Sequence, residues 1–218
     1  GEPVSVIVKF SGADDSPAVR RWSDLLVCEH LALETLTAEL GIESARSTIR
    51  QHAGRTFLEV ARFDRVGPHG RLPLCSLGAL NGALLGMSGA TWPVIAEALH
   101  RHGWLPADDV SRIRLLWWFG RLIANADMHE GNLSFSPGLS LAPGYDMLPM
   151  AYAPLRGGEL PNFRFDPPEA RPEDADAWQA AASAASAFWQ RCAADDRINT
   201  AFREVCAANA ADLAPYLF

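Results

Sequence analysis

The chain has 218 residues, 49% of them apolar, and a net charge of −7 at pH 7. That is enough for one sizeable core or two small lobes. The acidic balance argues against a surface built for phosphate backbones, so direct nucleic-acid binding is not expected, and no apolar run is long enough to span a bilayer.

The opening GEPVSVIVKF has no basic leader and no apolar h-region, so it does not read as a signal peptide. It reads as a strand that begins abruptly, as though sequence upstream had been removed. Its β-branched alternation puts Ser5, Ile7 and Lys9 on one face and Val6, Val8 and Phe10 on the other. From about Ala18 to Leu40 the period becomes helical, with Leu25, Leu31, Leu33, Leu36 and Leu40 as the apolar stripe and Gly41 as the cap. STIRQHAGRTFLEVARF predicts two short strands around a turn at HAGR, and DRVGPHGRLP breaks regular structure. Helices are expected over CSLGALNGALLG, over TWPVIAEALHRHG with Thr91 as N-cap, and over ADDVSRIRLLWWFGRLIAN. One small hairpin follows near 133–146, with LAPGYD as a strand. PEARPEDAD is acidic and Pro-rich, and two Ala-rich helices close the chain at about 172–193 and 195–210. The order predicts an α+β chain with a small β-rich lobe and a larger α-rich one. Cys28, Cys75, Cys192 and Cys206 form no CxxC pair, and three of them sit in apolar or helix-like contexts as packed thiols, which makes a reducing cytoplasm the default compartment.

The helix over ADDVSRIRLLWWFGRLIAN runs straight into NADMHEGNLSF, a loop dense with oxygen and nitrogen groups. Asp127 and Asn132 lie five residues apart, and Asp146 lies fourteen beyond Asn132 across the expected hairpin. A hairpin can bring Asp146 back beside Asn132. A carboxylate and an amide oxygen suit magnesium when a nucleotide completes its shell, and Asp127 is then left to accept a hydroxyl proton. Phosphoryl transfer also needs a cation for the nucleotide phosphates, usually a strand lysine paired with a carboxylate on the following helix. Lys9 lies on such a strand, and the helix offers Glu29, with His30 beside it if the register differs. Singly, each residue has a plainer reading. Asp127 and Asp146 are turn residues, Lys9 is a solvated edge-strand lysine, Glu29 is an exposed helix residue, and His129 braces its loop through a backbone carbonyl. The order of the set is what favours chemistry.

With those residues in view, NADMHEGNLSF…GYDMLPM resembles the catalytic region of HipA-type serine/threonine kinases, the toxins of bacterial toxin–antitoxin modules. LEVARFDR resembles the family's hinge strand, VIVKF its lysine strand and CEHLALETLTAELGI the helix after it. MAYAPLRGGELPNFRF resembles the YjjJ-like branch of HipA homologues more than the founding proteins. The resemblance implies a protein-kinase-like two-lobed fold, with residues 1–63 as the small lobe and 64–218 as the large. It implies ATP and Mg2+ as cofactors and Asp127 as the catalytic base. Asn132 and Asp146 take the metal positions and Lys9 the phosphate-binding lysine, paired with Glu29. Ala61, Arg62 and Phe63 take the adenine-contacting hinge, and His129 and Tyr145 stand near the nucleotide. It further implies a protein substrate, with aminoacyl-tRNA synthetases the best-known class, and an antitoxin partner that is itself DNA-bound. The family's glycine-rich loop precedes the lysine strand, so this chain starts too late to contain it: it is a fragment, or a protein without that lid. Three other readings stay open: a small-molecule phosphotransferase, a metal-dependent nuclease using Asp127, His129 and Asp146, and an inactive kinase-like binding module.

Overall fold

The computed structural model describes residues 4–67 and 69–217. Gly1–Pro3, on which part of the leader reading rests, and Pro68 of the predicted break lie outside the described residues. Strand β1 (Val6–Phe10) leads into helix α1 (Pro17–Leu40), and β2 (Ser47–His52) and β3 (Arg55–Ala61) form the hairpin. The turn forms because Ala53 and Gly54 both adopt left-handed backbone, φ 48° and 74°, as a two-residue hairpin turn requires. β3 is the central strand, with β1 and β2 antiparallel on either side. Its alternation is clean: Thr56, Leu58 and Val60 are buried, and Leu58 and Val60 form a small core with Leu26 of α1 and Ala45. β1 is different. Its Val6, Ile7, Val8 and Phe10 remain 42–62% exposed, so neither of its faces is a core face.

α1 begins where the side chain of Ser16 accepts from Val19 N–H and Pro17 opens the first turn, and it ends at Gly41 with φ 62°. Leu25, Leu31, Leu33 and Leu36 are buried, but against the main core rather than the sheet. That core is built by α4 (Ala107–Leu122), α5 (Ala175–Ala194) and α6 (Thr200–Leu213), with α2 (Leu77–Leu84) and α3 (Trp92–Arg101) alongside. Phe119 of α4 meets Phe188 of α5 edge-on at 6.2 Å, and Trp189 Nε1 donates to Leu122 O at 3.1 Å. Three contacts tie α1 to α5 and α6. Arg191 bonds Thr35 and Glu34, Asp24 accepts from both the backbone and side-chain nitrogens of Asn199, and the Arg21 guanidinium lies 4.0 Å from the Phe202 ring centre.

Three expectations need correction. The stretch after Phe63 is not free of strands: β4 (Arg65–Val66) pairs with β5 (Gly70–Arg71), and β6 (Cys75–Ser76) pairs with β7 (Ser134–Ser136). Glycine and proline stopped long strands there, but the backbone groups still needed partners. The expected strand LAPGYD shrinks to β8 (Ser140–Leu141), which pairs with β7. The last helix starts at Thr200 rather than near 195. Asp195 takes the Arg197 N–H and guanidinium into a turn, and Asn199 becomes the N-cap. Among the described residues no strand follows Leu141, and helices dominate from Leu77 as expected.

Phe188→Ala should cost about 3–5 kcal/mol, because its ring is fully buried between Phe119 and Trp189. Urea unfolding followed by tryptophan fluorescence checks this: the midpoint should fall with the slope unchanged.

Candidate functional site

Lys9 is the fourth residue of β1, opposite Leu58 of β3. Its ammonium donates to both carboxylate oxygens of Glu29, at 2.7 and 2.9 Å, and also to Asp146 Oδ1. Glu29 is 1% exposed, whereas the Lys9 and Asp146 side chains are 33% and 38% exposed. The pair therefore has a dry end and a wet end. Burial pushes the Glu29 carboxyl up to about 7 despite Lys9 beside it. Burial pulls the Lys9 ammonium down, but the two carboxylates outweigh it and the net shift is upward. His30 is turned elsewhere: its Nδ1 bonds Ser47 Oγ at 2.9 Å. Glu29 is thus the partner, and neither it nor Lys9 is a plain solvated residue.

Asp127 lies on the loop after α4 with its side chain 55% exposed. With Lys9, Glu29 and Asp146 it lines one cavity of about 310 Å³, whose remaining walls are Phe10, Trp22, Leu26, Leu148 and Met150. A larger cleft of about 1310 Å³ lies along α1, Glu43–Thr48 and Ala61, Arg62 and Phe63, and holds none of the four charged residues of the first. The chemistry of general bases and cations belongs to the smaller cavity; size does not decide it. Asn132, His129 and Tyr145 are not in the wall of either cavity.

The loop has an internal framework. Asn132 Nδ2 donates to Asp127 O at 2.9 Å, so its Oδ1 is the atom left to meet a cation. His129 Nδ1 accepts from Gly131 N–H at 3.0 Å, which leaves Nε2 as the protonated nitrogen, 3.9 Å from Asp127 Oδ1. The brace expected of His129 exists, but to a backbone N–H, not a carbonyl. Glu130 accepts from Asn81 Nδ2 at 3.0 Å, and Asn81 also bonds Met87 through both N–H and C=O. Gly120 of α4 permits close packing below, since a Cβ there would lie 2.5 Å from Met128 Sδ. Leu133 and Phe135 are buried in the main core and anchor the far end.

Tyr145 joins the two loops. Its hydroxyl contacts Ser134 Oγ at 2.7 Å and donates to Gly131 O at 2.8 Å, while its ring packs on Phe63 after β3, centres 5.8 Å apart. Burial pushes this phenol up, and the Ser134 contact opposes it. Next to Phe63, Asp64 is clamped by Arg62 and Arg65. Two polar struts, Asn81 and Asn125, carry no mark in the sequence, and Tyr145, singled out there, adds a hydroxyl that bridges loops. The first two are buried asparagines, a signal visible only once the apolar surroundings are known.

The chain matches the HipA-like C-terminal domain over residues 1–213. It belongs to that family. Toxin YjjJ of Escherichia coli K12 is 39% identical over 204 residues, which take in 92% of this chain and 46% of that protein, so the chain spans less than half of this relative. HipA of Shewanella oneidensis MR-1, solved in a toxin–antitoxin complex with HipB and operator DNA, superposes with a TM-score of 0.60 at 18% identity, covering 97% of this chain and 57% of HipA. The Helicobacter pylori proinflammatory kinase CtkA gives 0.60 at 11% identity over 97% and 87%. The HipA-like fold here is the two-lobed α+β fold of the protein kinases. Among the described residues no helix is long and apolar enough to cross a membrane.

Glu29→Gln tests the buried end of the ion pair. The folded state holds the Glu29 proton up to about pH 7, against an ordinary value of 4.5. Stability is therefore lost as pH rises through that window. The Gln variant escapes this loss, and Lys9 keeps Asp146 as a partner. Above pH 7 it should be the more stable protein by up to about 3 kcal/mol, with the advantage gone near pH 4.5. Asp24, also pushed by burial to about 7, contributes equally to both proteins and cancels. Thermal melts across that range check it; a Gln variant less stable at every pH would show that the pair outweighs its burial.

Proposed function

We propose that this chain is the phosphotransfer core of a HipA-family protein kinase, which moves the γ-phosphoryl of ATP to a Ser or Thr hydroxyl of a protein. The observation that carries the reading is one ammonium, Lys9, that bridges Glu29 and Asp146 in the wall of a cavity that Asp127 also lines. We take residues 1–63 as the small lobe and 64–218 as the large.

Asn132 and Asp146 are the residues that would hold magnesium. The donor set fits: both offer oxygen, and the Asn132 nitrogen is already committed to Asp127 O. Among the described residues no group of three or more His, Cys, Asp and Glu side chains could hold a metal. A two-ligand site suits Mg2+, which keeps waters and phosphate oxygens in its shell. Bound Mg–ATP supplies the transferable phosphoryl group and the charge neutralisation it needs. Lys9 balances phosphate charge, with Glu29 fixing where its ammonium sits. Asp127, the most exposed carboxylate of the cavity, takes the proton of the acceptor hydroxyl. At the hinge, Ala61 N–H and Arg62 N–H are committed to Arg46 O and Ser5 O, which leaves the Phe63 amide as the donor for adenine. His129 and Tyr145 hold the loops beside the nucleotide. The Shewanella relative is solved with HipB and operator DNA, and we take an antitoxin protein, itself DNA-bound, as the partner here. An aminoacyl-tRNA synthetase is the substrate class the family suggests.

Three substitutions in the full-length protein separate these roles. Asp127→Asn should leave ATP affinity nearly unchanged and cut transfer by about two orders of magnitude or more, the scale of a general base. Full transfer by that variant would remove Asp127 from the mechanism. Lys9→Ala should weaken ATP binding, read by titration calorimetry, while the far-ultraviolet spectrum stays native. Asn132→Ala should weaken the part of ATP affinity that depends on magnesium.

A further inference from the structure

Asn125 opens the polar loop and is 4% exposed. Ala124 before it adopts left-handed backbone, φ 57°, and Asn125 N–H then turns back to Gly120 O at 2.8 Å. This closes the end of α4 and leaves the Asn125 side chain buried. Its two amide atoms go to different loops. Oδ1 accepts from Asp127 N–H at 3.0 Å, and Nδ2 donates to Asp146 O at 3.3 Å. Met147, next along, is 1% exposed, and its Sδ lies 3.9 Å from the same Nδ2.

Asp146 has a use for such a contact. Its φ is 53°, a region few non-glycine residues enter. The backbone conformation sets where its carboxylate points, and that carboxylate is the one Lys9 bonds. We infer that Asn125 is a positioning residue that couples the loop of Asp127 to the loop of Asp146 through one buried amide. A planar group with an acceptor and a donor at opposite corners can meet an N–H and a C=O at once. An ionised carboxylate of the same shape can meet only the N–H, and a methyl neither. The Asp146 carbonyl adjoins buried Met147, so losing the amide leaves it unpaired away from water, and that is the costly case; Asp127 N–H lies on an exposed stretch and loses its fixed partner. Asn125 touches neither substrate nor nucleotide in this scheme. Its effect on transfer rests on the phosphotransfer reading; the coupling of the loops does not.

The test uses the full-length protein with Asn125→Ala and Asn125→Asp. Hydrogen exchange read by mass spectrometry should rise about tenfold or more, the worth of one hydrogen bond, in peptides covering 126–132 and 144–148 together, with Val110–Phe119 of α4 unchanged. Transfer by Asn125→Ala should fall in kcat by about a hundredfold, the cost of a misplaced reacting group, with KM for ATP nearly constant. Asn125→Asp keeps the acceptor for Asp127 N–H and lacks the donor for Asp146 O. Its exchange should therefore rise in 144–148, and its kcat should fall with KM for ATP nearly constant. Should the Ala variant not fold, the Asp variant carries the test. Exchange that rises in one loop only in the Ala variant, no rise in 144–148 in the Asp variant, or a loss carried by KM rather than kcat would overturn the coupling. Protected loops in a native protein that transfers no phosphoryl would instead overturn the phosphotransfer reading and leave the coupling standing.

Discussion

A carboxylate in the middle of α1 is almost wholly removed from water, and the Lys9 ammonium from the neighbouring strand offsets it. Much of the arrangement follows from that need. Burying an isolated carboxylate costs several kcal/mol, so β1 must run where its fourth residue can reach Glu29. The same ammonium also reaches Asp146 on the far loop. Sheet, helix and loop therefore meet at a single nitrogen. The pair is not a good stabilising device, since Glu29 is held up near pH 7 by its burial. It is a good positioning device, since a dry carboxylate gives the lysine head one place to be.

α1 makes that position permanent. The helix belongs to two cores at once. Leu26 packs under the sheet, while Leu25, Leu31, Leu33 and Leu36 pack into the main core. Arg191 holds one end through Thr35 and Glu34, and Asn199 holds the other through Asp24. A helix swing would have to break both and open a close-packed interior. The small sheet is therefore mounted on a helix that the main core holds, and the lysine–glutamate pair is built in.

What could be read from the sequence was local or periodic. The stripe of α1 with Gly41 after it, the hairpin at HAGR and the long α4 all follow from spacing and caps, and they set the chain order Lys9, Glu29, Asp127, Asn132, Asp146. Lys9 and Glu29 could be matched because their roles depend on which element each sits on. What failed depended on distant partners. The period of β1 did not reveal that both faces stay exposed. The late start of α6 needed Asp195 to capture Arg197 and Asn199 to take the cap. Asn81 meets Glu130 across 49 residues, and Tyr145 meets Gly131 across fourteen. No local pattern encodes such pairs, and a buried asparagine looks like a surface one until the core around it is known.

The crowding of polar groups in NADMHEGNLSF then has a physical explanation. A loop that presents a free carboxylate to a cavity cannot lean on regular secondary structure for its own backbone, so side chains must do that work. His129 takes the N–H of Gly131, Asn132 gives its nitrogen to Asp127 O, Glu130 is held by Asn81, and Asn125 takes the N–H of Asp127. Each of these groups meets a fixed partner, and what remains over is small: the Asp127 carboxylate, the Asn132 oxygen and the His129 Nε2 that faces that carboxylate. The first two are the groups that phosphoryl transfer would call on, one for a proton and one for a cation. Rigidity and reactivity are divided among neighbouring side chains of the same kind, which is why residue type alone could not tell a strut from a reactive group.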